Sequence, residues 1–444
     1  MRKYRIFLQD HMNSFRTILI GFFLVILCGM CLLLLPISRY GDVSIIDALF
    51  TSASAVCVTG LVVYDTATQW TLFGKTVILL LIQIGGFGVI ALTAATLMLT
   101  GKRIGILQRV FLQDSVSAHH IGGIVRFTKF FLCRALEIEL LGALLLLPGF
   151  AMEFGIVKGI GYAIFHAVSA FCNAGFDLMG VHGQFSSLTY YADHAWLTTV
   201  IELLIVVGGI GFLTWDDLLQ NRRSLNKLRM QTKVILVSTA ILILIPFLYF
   251  YFIEFRMLGG KERLLVSLFQ SITPRTAGFS TTDYGTMSEG GLLITIFLMI
   301  TGGAPGSTAG GMKVTTIAVL LLSSSAFLQK RENVNCFKRR IEDDVIRSAF
   351  TLMTLYLGLL MIGSLVISTV ESIPVIPAMF ESASALGTVG LTTGITTGLC
   401  NTSKLLLIFF MYFGRTGGMT LAYAMASNTK KEYSRMPAEK LSVG

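Results

Sequence analysis

Charge is scarce in this sequence. Asp, Glu, Lys and Arg make up 14% of its 444 residues, against a hydrophobic share of 54% and a mean hydropathy of +0.74. Such proportions lie outside the range of soluble globular proteins and predict a membrane protein. Paired cysteine spacing is also lacking: Cys28, Cys31, Cys57, Cys133, Cys172, Cys336 and Cys400 outline no disulfide framework. The Cys28-x-x-Cys31 spacing lies inside an apolar run and reads as two small apolar residues rather than a redox or metal site. No nucleotide-binding fingerprint is present, so the chain by itself is not expected to hydrolyse ATP. The apolar runs hold no paired aspartates, Ser/His pair or H-E-x-x-H, which excludes the usual intramembrane enzymes. His166 has no second ligand at metal spacing and reads as a packed helix histidine.

What the sequence does have is long hydrophobic runs. Thr17–Leu35, Thr76–Leu99, Phe130–Leu147, Thr198–Trp215, Val234–Ile253, Ala349–Val370 and Leu405–Ala426 each approach or exceed the roughly 18 apolar residues that cross about 30 Å of hydrocarbon. Arg2, Lys3 and Arg5 precede the first run, but no small-residue cleavage site follows it, so it reads as a transmembrane helix and not a signal peptide. The net charge of +10 comes from Lys and Arg concentrated at 2–16, 102–129, 222–233, 330–347 and 430–440, whereas the connections at 36–76, 149–195, 252–290 and 371–404 carry few. By the positive-inside rule both termini are cytoplasmic, and the basic excess is a topology signal with no nucleic-acid partner implied.

Four shorter segments share one ending: DALFTSASAVCVTGL (47–61), YAIFHAVSAFCNAGF (162–176), LVSLFQSITPRTAGF (265–279) and AMFESASALGTVGL (378–391). Aligned on Gly60, Gly175, Gly278 and Gly390, they also match at Ser54, Ser169 and Ser384, with Ile272 the exception. Each lies between two long runs on the poorly charged side and is too short to span. The expected unit is therefore a transmembrane helix, a half-membrane pore helix, an extended glycine-bearing segment and a second transmembrane helix. Four units give an all-α polytopic membrane protein with eight transmembrane helices and four pore helices around a pseudo-fourfold pore. The expected boundaries are 1–100, 101–220, 221–330 and 331–444, the last including a polar cytoplasmic tail. Extended backbone at membrane depth is tolerated only where it is buried in protein or lines a water-filled cavity. Carbonyl oxygens there can replace an ion's hydration shell, and glycine leaves no side chain in the way.

The third unit carries a break, ITGGAPGSTAGGMK (300–313), inside an apolar run. It lacks the lysine placement of a phosphate-binding loop and the G-x-S-x-G of a nucleophile elbow. Irregular backbone at that depth should face the pore, and its small residues allow it to change shape.

These features resemble the Trk/Ktr/HKT superfamily of potassium transporters, and most of all the KtrB pore subunits of bacterial Ktr systems. The likeness covers essentially the whole chain, and GTVGL (387–391) is the segment most similar to a potassium-channel filter. The resemblance implies a selectivity filter of Val58, Thr59 and Gly60, of Asn173, Ala174 and Gly175, of Thr276, Ala277 and Gly278, and of Thr388, Val389 and Gly390, with potassium at the four glycines. Glycine rather than serine at position 60 favours potassium over sodium. It further implies a gating loop over 301–313, comprising Gly302, Gly303, Ala304, Pro305, Gly306, Ser307, Thr308, Ala309, Gly310, Gly311 and Lys313, with Arg415 of the last helix as its partner. Lys313 either assists Arg415 or marks the inner boundary. Also implied are uptake into a bacterial cell across its plasma membrane, driven by membrane potential, pairing of two pore subunits, and a separate KtrA-type cytoplasmic ring that binds the nucleotide. No cofactor is expected in this chain beyond the transported potassium, with sodium as an activator or coupling ion in some relatives. A sodium-permeable or sodium/potassium symporting protein of the same superfamily is the alternative.

Several charged residues remain to be placed. Arg134 and Glu137, three apart, can pair on one helix face beside Glu139, which reads as a structural ion pair at a helix interface or else a coupling-ion site. Arg275 is expected to brace its glycine segment from behind. Asp47 and Glu381 stand near the outer mouth, attracting cations, capping, or lying on a solvated rim.

Overall fold

The computed structural model describes residues 14–88, 123–221 and 224–418, with the isolated positions 94 and 439. Among the described residues, eight long helices or helix pairs follow one another. They are α1 (Ser14–Leu34), α3 (Leu72–Phe87), α4 (Ile124–Phe154), the pair α6 (Ala195–Gly209) and α7 (Phe212–Gln220), α8 (Met230–Tyr249, extended by a π turn to Glu254), the pair α10 (Glu289–Ile300) and α11 (Val314–Leu328), α12 (Asp343–Glu371) and α14 (Asn401–Thr416). Between them lie four short helices: α2 (Ile45–Val56), α5 (Ile156–Phe171), α9 (Gly260–Ile272) and α13 (Val375–Gly387). At 12 to 16 residues these cannot cross a bilayer. Side-chain caps start several helices: Ser44 accepts from Asp47 N, Thr71 from Gly74 N and Ser288 from Gly291 N, each taking up an amide that the first turn leaves unpaired.

Packing makes the arrangement cyclic. Each short helix lies against the long helix before it: α2 on α1, α5 on α4, α9 on α8 and α13 on α12. The second long helix of each set then reaches the short helix of the next set, α3 on α5, α6 on α9 and α10 on α13, and α14 returns to α2. A buried ion pair fastens that last contact, with Lys404 Nζ of α14 2.7 Å from Asp47 Oδ1 of α2. Large apolar side chains such as Leu140, Leu144, Leu244 and Met361 face outward, as they should in lipid. Besides a short helix at Thr66–Gln69 and several 3-10 turns, the described residues form a two-stranded hairpin, β1 (Asn335–Cys336) and β2 (Arg339–Arg340), with Cys336 opposite Arg339.

Two expectations change. The run Thr198–Trp215 is not one straight span: α6 and α7 meet at 91°, across Gly211 with φ +91°. The loop of the third unit packs against this bend, where a methyl at Gly211 would stand 2.8 Å from Pro305 O. Arg134 and Glu137 do pair, at 2.6 Å, but both side chains are more than half exposed, so the pair lies on the outward face of α4. Glu139 is separate from it and buried, accepting from Gln83 Nε2 at 2.8 Å. Much of the expected span Thr76–Leu99, the end of Leu405–Ala426, the basic stretch 102–122 and the tail fall outside the described residues.

Candidate pore and gate

The four short helices end alike. The residue two before each glycine is left-handed, with φ of 56° at Val58, 57° at Asn173, 74° at Thr276 and 52° at Thr388, and the glycines themselves have φ of 91°, 67°, 83° and 97°. Left-handed β-branched residues are costly, and such strain persists only where the surroundings over-determine it. The surroundings here are the other three segments. A methyl on Gly60 would stand 2.4 Å from Ala174 O, on Gly175 2.8 Å from Ala277 O, on Gly278 2.2 Å from Val389 O, and on Gly390 2.2 Å from Thr59 O. The contacts run in sequence order and close into a ring, and no side chain fits at any of the four positions.

Buried side chains hold each segment from outside the ring. Ser54 and Ser384 accept the amides of Gly60 and Gly390 at 3.1 and 3.0 Å, and Ser169 donates to Phe176 O at 2.7 Å. Where Ile272 interrupts the serine pattern, Thr273 donates to Phe279 O at 2.5 Å and so replaces it one residue later. His166 and Glu381 occupy matching places, nine residues before their glycines. Each accepts the amide three residues after its glycine, Leu178 N at 3.3 Å and Thr393 N at 3.1 Å. Glu381 also takes the hydroxyl of Thr396 at 2.8 Å and that of Thr392. Asp47 is likewise engaged, by Lys404, Ser44 and Tyr64. Neither acid is a free carboxylate at the mouth; both brace the segments. Arg275 is buried and points away from the ring, its Nη2 donating to Thr239 Oγ1 of α8 at 3.3 Å. Outside the ring opens a cavity of about 390 Å³, lined by the four glycines together with Asp65, Asp177 and Asp283.

On the other side of the ring the chain is irregular between Ile300 and Val314. Its neck is closed by Gly302 N donating to Met312 O at 2.7 Å and Val314 N to Gly303 O at 3.0 Å. The loop then pairs with the bend between α6 and α7: Ala304 N donates to Gly209 O at 2.9 Å, and Phe212 N to Gly306 O at 2.8 Å. Thr308 Oγ1 reaches Phe171 O at 3.0 Å, and Gly311 N reaches Gly414 O at 3.2 Å. The loop lies directly below the fourth segment, since a methyl on Gly310 would stand 2.0 Å from Thr388 Oγ1. Two cations attend it. Lys313 Nζ donates to Ala309 O at 2.7 Å. The Arg415 guanidinium donates to Thr308 O of the loop and to Gly85 O (2.5 Å) and Gly86 O (3.1 Å) at the end of α3. Arg415 thus ties the third unit to the first through carbonyls alone. The α6–α7 bend and the α3 carbonyls were not singled out from the sequence, although the GGIG and GG runs at 208–211 and 85–86 carried the signal.

The sequence model of a family described as TrkH, cation transport protein, matches residues 2–434. The chain belongs to this TrkH family. Among its relatives in the family are the Ktr system potassium uptake protein B of Bacillus subtilis, 38% identical over 428 residues and 95% of each chain, and the potassium/sodium uptake protein NtpJ of Enterococcus hirae, 38% identical over 449 residues and 98% of each. The potassium transporter TrkH from Vibrio parahaemolyticus has a similar fold, with a TM-score of 0.73 over 93% of this chain and 85% of that one, at 19% identity. Membership of a cation transport family makes this chain a polytopic membrane transporter and not an enzyme, and the all-α expectation holds.

Proposed function

We propose that this chain is the ion-translocating pore subunit of a Ktr-type potassium uptake system. The observation that carries the reading is the closed ring of Gly60, Gly175, Gly278 and Gly390 against the carbonyls of Thr59, Ala174, Ala277 and Val389. A ring of backbone oxygens substitutes for the hydration shell of a potassium ion. The filter is completed by Val58, Asn173, Thr276 and Thr388, whose left-handed backbone sets the direction of the segment. An inside-negative potential drives uptake, at about 2.3 kcal/mol per charge per 100 mV. The loop 301–313, held by Arg415 and Lys313, is the gate below the filter. Both termini face the cytoplasm of a bacterial cell. The Ktr system names of the relatives support a second component, which we take to be a cytoplasmic nucleotide-binding ring of the KtrA type acting on a pore-subunit homodimer.

A second reading, sodium permeation or sodium-coupled potassium uptake, is favoured by the naming of NtpJ as a potassium/sodium uptake protein. Rubidium-86 uptake into potassium-uptake-deficient cells separates the two, comparing the wild-type chain with Gly60→Ser under competing potassium or sodium. Uptake competed better by potassium, with that preference lost in the serine variant, is the expected result. Equal competition by sodium in the wild type selects the second reading, and no rubidium movement even with a regulatory subunit present overturns both.

A further inference from the structure

The loop's far end leads into α11, and what holds α11 at its foot is the β1–β2 hairpin. Phe327 and Leu328, the last residues of the helix, are 82% and 81% exposed. The chain then reverses through left-handed Lys330, with Arg331 N donating to Ala326 O, and folds back along the helix it has just left. Val334 and Cys336 pack with Leu320 and Leu322 around buried Val319, Ile341 and Ala349, so the hairpin lies beside α11 rather than below it. Its two-residue tip, Phe337–Lys338, is left-handed at both positions, the geometry of a tight hairpin turn. Phe337 remains 48% exposed, with Lys233 Nζ, in the first turn of α8, 5.9 Å from its ring centroid.

This position fixes the depth. The hairpin is bracketed by the first residues of two membrane-crossing helices, Met230 of α8 and Asp343 of α12, so its tip stands where chains pass from water into hydrocarbon. At that level it presents Lys330, Arg331, Lys338, Arg339 and Arg340, all exposed, with Glu332, Glu342, Asp343 and Asp344 as the nearby acids in sequence. Among the described residues only Arg340 of the five is ion-paired, to Asp343 at 3.2 Å. Exposed aromatic and aliphatic side chains interleaved with unpaired cations at headgroup depth match an anionic lipid surface, where apolar groups enter the acyl boundary and each cation adds attraction. An acidic protein surface would satisfy the cations but would leave Phe327, Leu328 and Phe337 without an apolar counterpart.

We propose that the Asn335–Arg340 hairpin, with Phe327, Lys330 and Arg331, is a binding site for anionic phospholipid at the foot of α11. Because α11 begins at Val314, immediately after the loop, a lipid held here anchors one end of the segment that moves. That consequence rests on the gating reading above; the binding itself does not.

The test is native mass spectrometry of the full-length chain released from nanodiscs of equal phosphatidylglycerol and phosphatidylcholine. The wild type should retain phosphatidylglycerol preferentially. The double variant Lys338→Asn and Arg339→Gln keeps a residue tolerant of the left-handed turn and leaves Val334, Cys336 and Ile341 in place. It should lose retained phosphatidylglycerol on the order of tenfold, as expected from two surface cations, at an unchanged thermal transition. Phe337→Ser, which leaves every charge, should lose less. Equal retention of both lipids by the wild type, or undiminished phosphatidylglycerol on the folded double variant, overturns the site. A variant that keeps its lipid but no longer binds a co-expressed regulatory subunit assigns the hairpin to a protein partner instead. Since lipid is counted without any ion flux, failure here leaves the pore reading untouched.

Discussion

The glycine ring and the loop beneath it are both irregular and rich in glycine, yet they are held in opposite ways. The ring is built by repetition. Four segments carry the same two left-handed residues, each glycine abuts the next segment's carbonyl, and hydroxyls at nearly the same offset brace all four. The loop is built from contacts that occur once. It borrows carbonyls from the α6–α7 bend and from Gly414, and two cations that have no counterpart in the other units among the described residues. Repetition makes a structure that is hard to deform, because every part is checked by its neighbours. Single contacts can be exchanged one at a time, which is what the proposed gating role requires.

The sharpest way to break that comparison is to remove the largest single contact. Arg415 donates to carbonyls on two elements, and charge-assisted hydrogen bonds are worth about 1.5–3 kcal/mol each where no replacement exists. Gln at this position cannot reach both elements. We expect Arg415→Gln to raise rubidium flux into liposomes, measured without any regulatory subunit, on the order of tenfold, the equivalent of about half of one such bond. Potassium preference should be unchanged, since the ring does not depend on this residue. Reduced flux with altered selectivity would mean that loop and ring are one unit and that the contrast is mistaken.

A smaller effect should come from the ring's braces. Ser384 accepts the Gly390 amide, and its loss leaves that amide buried without a partner, at a cost of about 1 kcal/mol. Ser384→Ala should therefore reduce the ratio of potassium to sodium competition roughly fivefold while leaving basal flux low. Ser54→Ala, in the matching place, should behave the same way. If one serine proves indispensable and the other neutral, the four segments are not equivalent in energy despite their equal backbones.

How much of this was legible beforehand follows the same division. Repetition leaves a signal in a single sequence: Gly60, Gly175, Gly278 and Gly390 in register, with three of four serines, were enough to outline the ring and its four short helices. Even so, Thr273 as the substitute for the missing third serine could not be read, because its hydroxyl acts from one residue further along and only the backbone geometry brings it to Phe279 O. His166 and Glu381 looked like a packed histidine and an acid at the mouth; that they do one job was hidden by their different chemistry. The break at 301–313 was visible through its composition, and Arg415 through the rarity of charge in apolar helices. Their partners left only the glycine runs at 85–86 and 208–211, which do not tell which carbonyl oxygens accept, since every residue has one. The 91° bend at Gly211 has its trace in the same GGIG run, but glycines in an apolar run do not by themselves set an angle.

The smallest effect is expected where the two regions touch. Thr388 is both the left-handed residue of the fourth segment and the neighbour of Gly310, and its buried Oγ1 has no hydrogen-bond partner. The contact between ring and loop is therefore one of shape. Valine has the shape of threonine without the hydroxyl, and Val58 already occupies the equivalent place in the first segment with φ 56° against 52°. Thr388→Val should thus keep fold, basal flux and potassium preference to within about a factor of two, the range of a surface-neutral change. The measurement is the same liposome flux with competing sodium. A large loss of potassium preference alone would place the Thr388 hydroxyl on the ion rather than against the loop, giving the fourth segment a ligand that Val58 cannot supply. A rise in basal flux alone would show instead that the hydroxyl helps seat the loop, and that even this shared surface belongs to the gate.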